Sequence, residues 1–271
     1  MATASPILSV ITIVYNNVSD IERTMLSVLN QTYKGIEYIV VDGRSTDGTL
    51  EIIKRYESRI AKLISEKDEG IYDAMNKGLG AARGNYVIFM NSGDEFYDSG
   101  TVKAVFASFG DADIYYGETE MITADGQSLG QRRHKAPKQF TWRSFKYGMS
   151  VSHQAIYIKR ALIEPYDRRY SLSSDIDWII RAAKKAKKIV NVNRYVAKYL
   201  VGGMSKKKHR QSLEERFDIM KRHYGLLPTV FNHFVIAFNL GWYWLNNRRT
   251  NYYVDLSSNP RVIARYEDNR L

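Results

Sequence analysis

Acidic residues follow two apolar runs in the first hundred residues of the sequence. Asp42 comes directly after the run 38–41 (YIVV), and Asp94 comes shortly after the run 86–90 (YVIFM). A carboxylate at the end of a buried strand packs poorly, yet it can accept hydrogen bonds from a ligand or bind a metal ion. Asp47, by contrast, is equally well explained as the cap of a helix. Asp42 and Asp94 therefore predict a ligand-binding site at one edge of a sheet.

The elements that would position these residues alternate between strand and helix. An unbroken apolar run at 7–15 precedes apolar residues at helical spacing, and this cycle repeats. Four such βα units in about 110 residues predict a parallel sheet with helices on both faces, and ligands bind such sheets outside the carboxyl ends of the strands. The predicted strands are 7–15, 38–42, 60–64 and 86–91, and the predicted helices are 21–29, 48–56, 71–82 and 101–109.

The pattern changes after about residue 112, where short antiparallel strands are expected. Asp125-Gly126 is a favoured hairpin turn. The sequence as a whole predicts one α/β domain with a C-terminal helical appendage. The predicted strands of this part are 114–116, 155–158, 189–192 and 196–200, and the predicted helices are 175–186, 212–224 and 229–246.

Composition limits the classes of protein and of partner. The chain has 271 residues, no cysteine and a net charge of +11. Without cysteine there is no disulfide, cysteine zinc site or thiol nucleophile, which favours a reducing compartment such as the cytoplasm. No signal peptide or run of membrane-spanning length is predicted. Basic runs at 184–188, 206–210 and 248–249 favour anionic partners.

Four motifs, taken in order, resemble the inverting glycosyltransferases of family two, which have the GT-A fold. Weaker matches follow at 153–155 (HQA), 174–178 (SDIDW) and 202–205 (GGMS). The resemblance implies a Rossmann-like, mostly parallel sheet with helices on both faces. The four motifs are 12–17 (TIVYNN), 31–49 (QTYKGIEYIVVDGRSTDGT), 66–78 (EKDEGIYDAMNKG) and 89–96 (FMNSGDEF).

The resemblance also implies an activity and a division of the chain. A sugar would pass with inversion from a nucleotide diphosphate donor, a UDP-sugar above all, to a hydroxyl of a glycan or of a polyprenyl-diphosphate-linked acceptor. Surface polysaccharide of the capsule or O-antigen type would be the product. Residues 1–225 would form the catalytic domain, with a nucleotide-binding half at 1–112 and an acceptor-binding half at 113–225, followed by a helical tail at 226–271.

Nucleotide-binding roles follow from the same resemblance. Asp42 would accept a hydrogen bond from the uracil ring N–H, a task that needs a fixed acceptor. Asp68 would hold the ribose and base side of the nucleotide. Lys77 has an alternative role, because it lies four residues after Asp73 and could simply form an ion pair with it on the helix surface. The implied nucleotide-binding residues are Tyr15, Asn16, Asp42, Asp68, Lys77, Ser92 and Gly93.

The implied metal position departs from the family pattern. Family members usually carry an Asp-x-Asp-like triplet after the fourth strand, whereas this chain has Asn91-Ser92-Gly93-Asp94. Asp94 is therefore the expected ligand of Mn²⁺ or Mg²⁺. One carboxylate, both donor phosphates and water can satisfy such an ion. We expect weak metal affinity in the absence of nucleotide.

Inverting transfer also requires a base that takes the proton of the acceptor hydroxyl. Asp175 and Asp177 are the candidates. Two positions apart on a helix, they differ by about 200° in direction and cannot share one role. Asp175 is the first choice because it lies at the predicted helix start, where the helix dipole favours an ionised acid, and at the family's landmark. Asp177 is the second choice.

Three further segments have expected roles near the donor or acceptor. His153 and Gln154 match a family position near the acceptor or diphosphate, although a lone histidine is as often structural. Gly203 and Ser205, with the basic run 206–210, resemble a loop that closes over the donor, where a basic residue could neutralise the leaving diphosphate. His209 is a weaker candidate for the metal shell.

The aromatic-rich segment 231–244 is too short and interrupted to span a bilayer. It could lie in the membrane interface, with 229–249 as a peripheral contact on the inner face of the plasma membrane. The commoner outcome for an aromatic helix is packing on the catalytic domain or on a second copy of the chain.

Other classes of protein remain as alternatives. A nucleotidyltransferase would carry a glycine-rich basic loop after the first strand, and residues 15–19 (YNNVS) lack one. A dinucleotide-dependent oxidoreductase is disfavoured because Arg83 occupies the third glycine position. Nucleic-acid binding is not expected, since acidic strand ends would repel a polyanion. An inactive nucleotide-sugar-binding subunit stays open because Asn91 replaces an acid.

Overall fold

Strands and helices alternate through the first hundred residues, as predicted. The computed structural model describes residues 7–107, 110–132, 135–202 and 208–246. Strands β1 and β4 are buried along their whole length and β2 along most of it, and their largely apolar sequences suit burial on both faces of a sheet. In order, the elements are β1 (Leu8–Val14), α1 (Ile21–Leu29), β2 (Ile36–Asp42), α2 (Thr49–Arg55), β3 (Lys62–Ser65), α3 (Ile71–Ala81), β4 (Tyr86–Phe89), β5 (Glu95–Phe96) and α4 (Thr101–Ala107).

The second half completes the same sheet and then turns helical. The hairpin predicted at Asp125-Gly126 joins two antiparallel strands, and Gly126 has the positive φ of 81° that this turn requires. Short 3₁₀ helices at Trp142–Tyr147 and His153–Ala155 separate the strands. The elements are β6 (Ile114–Ile122), β7 (Ser128–Gln131), β8 (Ile156–Lys159), α5 (Ser174–Lys185), β9 (Ile189–Leu200), α6 (His209–Tyr224) and α7 (Leu226–Asn246).

The strands of the described residues form one mixed sheet in the order β3-β2-β1-β4-β8-β6-β9-β5, with β7 on β6. Strands β1 to β4 are parallel, so the ends of β1 and β2 and the loop after β4 meet at one edge. Strand β8 pairs antiparallel with β4 and with β6. This arrangement confirms the α/β prediction and brings the ends of these strands together at the edge where the ligand site is predicted.

Two apolar layers hold helices on opposite faces of the sheet. Helices α1, α2 and α4 pack on one face through side chains such as Met25, Ile53 and Val102. Helices α3 and α5 pack on the other through Met75 and Trp178, which lie beside Phe89 of β4. Because both faces are covered, the strands are rigidly buried and can fix the side chains at their ends.

The prediction of separate strands at 189–192 and 196–200 is wrong, because β9 runs unbroken from Ile189 to Leu200. Asn193 has a left-handed φ of 51°, and the pairing of β9 with β6 shifts register beside Gly117. A Cβ atom at Gly117 would lie 2.6 Å from the carbonyl oxygen of Arg194. A bulge therefore interrupts the apolar pattern without ending the strand.

The two C-terminal helices meet at Gly225, whose φ of 89° allows the chain to turn. Helix α7 packs against α6 and against the short helix Trp142–Tyr147. None of the helices in the described part of the chain has the length and apolar character needed to cross a bilayer. The predicted domain boundary at 225/226 coincides with this turn and stays a prediction.

Candidate active site

A cleft of about 960 Å³ lies at the carboxyl ends of β1, β2 and β4. The start of α5 and the short helix His153–Ala155 close its other side. Half of the sequence-predicted site residues line this cleft although they come from both halves of the chain. These residues are Tyr15, Asp68, Ser92, Asp94, His153, Gln154 and Asp175.

The remaining predicted residues lie elsewhere or are not described. Gly203 and Ser205 lie outside the described residues, as does the side chain of His209. Five described residues do not line the cleft: Asn16, Asp42, Lys77, Gly93 and Asp177. All of these except Gly93, which has no side chain, make side-chain hydrogen bonds or ion pairs that hold neighbouring segments in place.

Asp42 and Asn16 build the loop that follows β2. Asp42 is fully buried and accepts hydrogen bonds from the Ser65 hydroxyl at 2.7 Å and the Ser45 backbone N–H at 3.2 Å. Asn16, with a left-handed φ of 45°, accepts from the Thr46 backbone N–H at 2.8 Å. These bonds fix the loop backbone, whose residues 43 and 44 line the cleft.

Asp68 and Tyr15 approach each other across Gly43. A Cβ atom at Gly43 would lie 2.6 Å from Asp68 Oδ2 and 3.3 Å from Tyr15 Cδ2. Only a residue without a side chain leaves room for both neighbours here. Burial raises the pKa of the Asp68 carboxyl above its ordinary value. The aromatic ring and the carboxylate together form one wall of the cleft.

Lys77 supports the acidic turn from outside the cleft. Its ammonium group donates to the Lys67 carbonyl oxygen at 2.8 Å and pairs with Glu66 at 3.0 Å and Asp73 at 3.3 Å. The helical pairing with Asp73 is the one that the spacing predicted. With three acceptors in place, Lys77 orders the segment that carries Asp68.

Asp94 is a buried carboxylate on the cleft wall, only 5% exposed. Its Oδ2 accepts from the Gln154 amide at 2.7 Å, and its Oδ1 accepts from the Leu200 backbone N–H at 3.2 Å. Burial raises its pKa to about 6. A cation beside it would offset this desolvation, so a buried acid at the strand ends fits a metal ligand.

The described residues do not form a metal site by themselves. No three of their histidine, aspartate or glutamate side chains converge on one point. The Oδ1 atom of Asn91 is buried and has no hydrogen-bond partner among the described residues, which leaves an uncharged oxygen near Asp94 in sequence. A divalent ion held at Asp94 would therefore need ligands from a bound phosphate.

Asp175 and His153 form the central pair of the site. His153 Nδ1 lies 3.2 Å from Asp175 Oδ2, and the Asn91 amide nitrogen lies 3.1 Å from His153 Nε2. An amide nitrogen can only donate, so Nε2 accepts and Nδ1 carries the hydrogen that is donated to Asp175. Although burial alone would raise it, this hydrogen bond holds the pKa of Asp175 below its ordinary value.

Two more contacts orient the carboxylate of Asp175. Its Oδ1 accepts from the Ile176 backbone N–H at 3.0 Å and from the Tyr72 hydroxyl at 3.4 Å. Tyr72 belongs to α3, so the contact joins the two halves of the chain. Sequence reasoning missed Tyr72 and the role of Asn91, because nothing in local spacing indicates either contact.

Asp177 points away from the cleft and connects α5 to α6. It is fully buried, and its carboxylate accepts from Arg181 Nε at 2.7 Å and lies 2.7 Å from His223 Nε2. Although burial opposes it, these two partners lower the pKa of Asp177. Its opposite direction from Asp175 matches the rotation expected for two positions on a helix.

Comparison with known proteins gives the family. A model described as Glycosyl transferase family 2 matches residues 9–164, more than half of the chain. A glycosyltransferase of Mycobacterium tuberculosis is 35% identical over 191 residues, which are 67% of this chain and 70% of that protein. The Bacillus subtilis teichuronic acid biosynthesis glycosyltransferase TuaG is 35% identical over 146 residues, 52% of this chain and 58% of its own.

Solved structures share the fold at lower identity. Staphylococcus aureus TarS 1–349 in complex with UDP-GlcNAc has a TM-score of 0.62 and 19% identity, covering 93% of this chain and 77% of its own. The mannosyltransferase PcManGT of Pyrobaculum calidifontis, in complex with GDP-Man and Mn²⁺, has a TM-score of 0.60 and 16% identity, covering 98% and 86%. The family match, the relatives and this shared GT-A architecture lead to one conclusion: the chain is a glycosyltransferase and belongs to glycosyl transferase family 2.

Proposed function

We propose that the chain transfers a sugar, with inversion at the anomeric carbon, from a UDP-sugar to a hydroxyl of a glycan or lipid-linked glycan. One observation carries the proposal. Asp175, held ionised by His153, lines the same cleft as Tyr15 and Asp68. A base and a nucleoside-binding wall thus face one space. The complex of TarS with UDP-GlcNAc supports a uridine nucleotide as the donor type.

In the proposed reaction the acceptor oxygen attacks the anomeric carbon opposite the leaving diphosphate. Asp175 takes the hydroxyl proton, the new glycosidic bond forms, and the bond from carbon to phosphate oxygen breaks. The electron pair of that bond leaves with UDP. His153 keeps the Asp175 carboxylate ionised and aimed, as its hydrogen bond favours the charged form. Tyr72 fixes the second carboxylate oxygen.

Mn²⁺ or Mg²⁺ is the proposed cofactor, with Asp94 as its protein ligand. When bound, such an ion would neutralise charge on the diphosphate. The presence of Mn²⁺ in the PcManGT complex supports this proposal, and the single carboxylate implies that metal and nucleotide bind together. Gln154 positions Asp94 through its 2.7 Å hydrogen bond.

We place the product in a bacterial surface polysaccharide. The naming of TuaG as a teichuronic acid biosynthesis enzyme supports this assignment. The acceptor would then be a growing glycan or its lipid-linked precursor. The proposed location is the cytoplasmic face of the membrane. The exposed apolar face of helix α7 supports this location.

Helix α7 has its apolar and polar faces reversed relative to a packed helix. Thr229 and Asn232 face the protein, at 1% and 8% exposure, while Phe231 and Phe234 are 66% and 71% exposed. Leu227 extends the outer stripe at 82% exposure. An outward apolar face of this kind calls for an apolar partner.

Charge around the stripe selects the partner. The residues of α7, 226–246, include no aspartate, glutamate, lysine or arginine, and His233 is their one titratable side chain apart from a tyrosine. The short helix Trp142–Tyr147, which packs against α7, carries exposed Arg143 and Lys146. Cations beside a stripe of aromatic residues match an anionic bilayer surface. We therefore assign α7 to a peripheral membrane contact in preference to a dimer interface.

Calorimetry with UDP, in the presence and absence of Mn²⁺, tests the donor proposal. We expect UDP to bind, with enhancement by Mn²⁺, and Mn²⁺ alone to bind weakly. UDP release from UDP-sugars in the presence of alkyl glycosides, with proton NMR of the product anomeric centre, tests transfer and inversion. A nucleotidyltransferase would instead use nucleoside triphosphates and release pyrophosphate. An inactive subunit would bind UDP and transfer nothing.

A further inference from the structure

Arg44 has an unusual backbone conformation in the loop that follows β2. Its φ of 64° is left-handed, a region that arginine adopts far less readily than glycine or asparagine. The surrounding contacts impose this conformation. The backbone N–H of Ser45 donates to Asp42 Oδ1 at 3.2 Å, and the Ser45 hydroxyl accepts from the Asn16 backbone N–H at 2.9 Å. The loop therefore holds an arginine where a glycine would be less strained, which points to a role for the side chain.

The Arg44 side chain is available to a ligand in the cleft. Of loop residues 43–48, all of which the structure describes, only Gly43 and Arg44 line the cleft. The Arg44 side chain is exposed, and no hydrogen bond or ion pair joins it to another residue in the described part of the chain. Because Gly43 has no side chain, the guanidinium group of Arg44 is what this loop offers to a bound molecule.

Arg44 lies on the nucleoside side of the cleft. A Cβ atom at the adjacent Gly43 would lie 3.3 Å from Tyr15 Cδ2 and 2.6 Å from Asp68 Oδ2, the two residues of the proposed nucleoside wall. The proposed phosphate position at Asp94 follows β4, and β1 separates β4 from β2 in the sheet. Two strand spacings are about 10 Å. Arg44 is therefore closer to the expected place of the base than to that of the diphosphate.

We propose that Arg44 reads the base of the donor nucleotide by donating to the O4 carbonyl oxygen of uracil. The inference rests on the proposed function, because it takes a uridine nucleotide as the donor. A guanidinium group can only donate hydrogen bonds, and cytosine carries an amino donor where uracil carries O4. Arg44 thus selects uracil over cytosine. In this assignment Asp42 contributes by fixing the loop that carries Arg44.

A competing explanation is that Arg44 only attracts the negative charge of the nucleotide. That role would strengthen the binding of UDP and CDP equally, and other cations of the cleft would share it. Lys67 is the matched comparison, because it also lines the cleft, is exposed and has no side-chain partner among the described residues. Base selection instead appears in the ratio of the two dissociation constants.

Calorimetry with UDP and CDP tests the assignment on the unaltered protein and on three variants. We expect the unaltered protein to bind UDP about tenfold or more tightly than CDP, since a hydrogen bond to a charged group is lost with cytosine. Arg44→Gly should remove most of this preference by weakening UDP binding. Its thermal midpoint should be no lower, because glycine suits the left-handed φ. Arg44→Lys, which keeps the charge without the fork, should keep part of the preference, and Lys67→Gln should leave the ratio unchanged.

Each other outcome has a defined meaning. Equal affinity for UDP and CDP in the unaltered protein overturns the inference, and this arm needs no variant to fold. An unchanged ratio in Arg44→Gly overturns it too, whether the two affinities stay constant or fall together through lost charge attraction. If neither nucleotide binds, the proposed function itself fails. If UDP binds without any preference over CDP, the proposed function stands and only the role of Arg44 is removed.

Discussion

His153 donates through Nδ1 to Asp175 Oδ2 at 3.2 Å, and Asn91 fixes the other ring nitrogen at 3.1 Å. Asn91, which lies where the family resemblance implies an acidic residue, therefore sets the tautomer of the histidine beside the proposed base. A carboxylate at position 91 would present only acceptors to that ring. Asn91 thus has a structural role beside the proposed base.

Asp175→Asn should abolish transfer while UDP still binds. The amide keeps the shape of the carboxylate but cannot take a proton, so we expect kcat to fall by about a thousandfold or more. Steady-state rates of UDP release with an alkyl glycoside acceptor, and calorimetry with UDP, measure the two quantities. Transfer within tenfold of the unaltered enzyme would exclude Asp175 as the base.

Asp177→Asn should show the opposite behaviour, with a loss of stability and retained transfer. It leaves Arg181 and His223 without their buried anion, which costs about 3–5 kcal/mol. Chemical denaturation monitored by circular dichroism measures the change. This variant is also the control for Asp175→Asn, since the two positions lie two residues apart on the same helix. Unchanged stability would show that the Asp177 contacts are weak.

The pH dependence of that stability difference has a definite sign. Because the folded pKa of Asp177 is lowered, its stabilising effect is present above the unfolded pKa of about 3.9. The effect is lost as the pH falls through the lower folded value. The difference in the free energy of unfolding between the unaltered protein and Asp177→Asn should therefore be largest near pH 7 and should decrease below about pH 4. Arg181, Arg222 and His223 are the charged or titratable groups that face this carboxylate.

Asn91→Asp should change the hydrogen bonding of His153. The new carboxylate can only accept, so Nε2 must carry a hydrogen in place of the present arrangement. We expect ¹⁵N NMR of the imidazole to report the hydrogen at Nε2, carried either by the other neutral tautomer or by the imidazolium. The kcat should fall about tenfold if the ring adopts the other neutral tautomer, because Asp175 then loses its Nδ1–H donor. Asn91→Ala, which removes the donor without adding an acceptor, is the comparison. An unaltered imidazole spectrum in Asn91→Asp would contradict the assigned tautomer.

Gly43→Ala should weaken UDP binding and leave the fold intact. The added methyl group would lie 2.6 Å from Asp68 Oδ2, and the flexible carboxylate can move aside. A displaced Asp68 can no longer hold the nucleoside, so we expect the UDP dissociation constant to rise about tenfold. Gly80→Ala on α3 is the control, because nothing lies within 4 Å of a Cβ there. Equal UDP affinity in the two variants would remove Asp68 from the proposed nucleotide site.

Phe231→Ser combined with Phe234→Ser should reduce binding to anionic vesicles. We expect sedimentation with phosphatidylglycerol vesicles to fall several-fold, with little binding to phosphatidylcholine in either protein. Leu213→Ser is the control, since Leu213 is 49% exposed on α6, outside this stripe. If the paired variant instead converts a dimer to a monomer at constant vesicle binding, the stripe is a subunit interface.

Local patterns predicted the order of strands and helices because buried strands and amphipathic helices have distinct periods. They also located Asp42 and Asp94 at the edge of the sheet where the strands end, whereas the position of Asp68 followed from the family resemblance. The direction in which each side chain points was harder to predict. Asp42 is buried beneath its loop because its carboxylate oxygens accept hydrogen bonds from Ser45 and Ser65. These serines lie 3 and 23 positions from Asp42, and hydrogen bonds of this kind leave no periodic pattern in the sequence.

Contacts between segments that are far apart in the sequence could not be predicted from the spacing of residues. Asp175 and Tyr72 are separated by 103 positions, and Asp177 and His223 by 46. The single strand β9 was misread as two because the bulge at Asn193 resembles a loop in sequence. Each of these features depends on how the sheet brings its layers together.

Tyr72 connects the proposed nucleotide wall of the cleft to the proposed base. It stands four residues after Asp68 in the chain, and its hydroxyl touches the carboxylate of Asp175. If the donor binds against the 68–70 turn as proposed, the first turn of α3 would connect the nucleotide pocket directly to the proposed base. Proton abstraction would then depend on an occupied donor site.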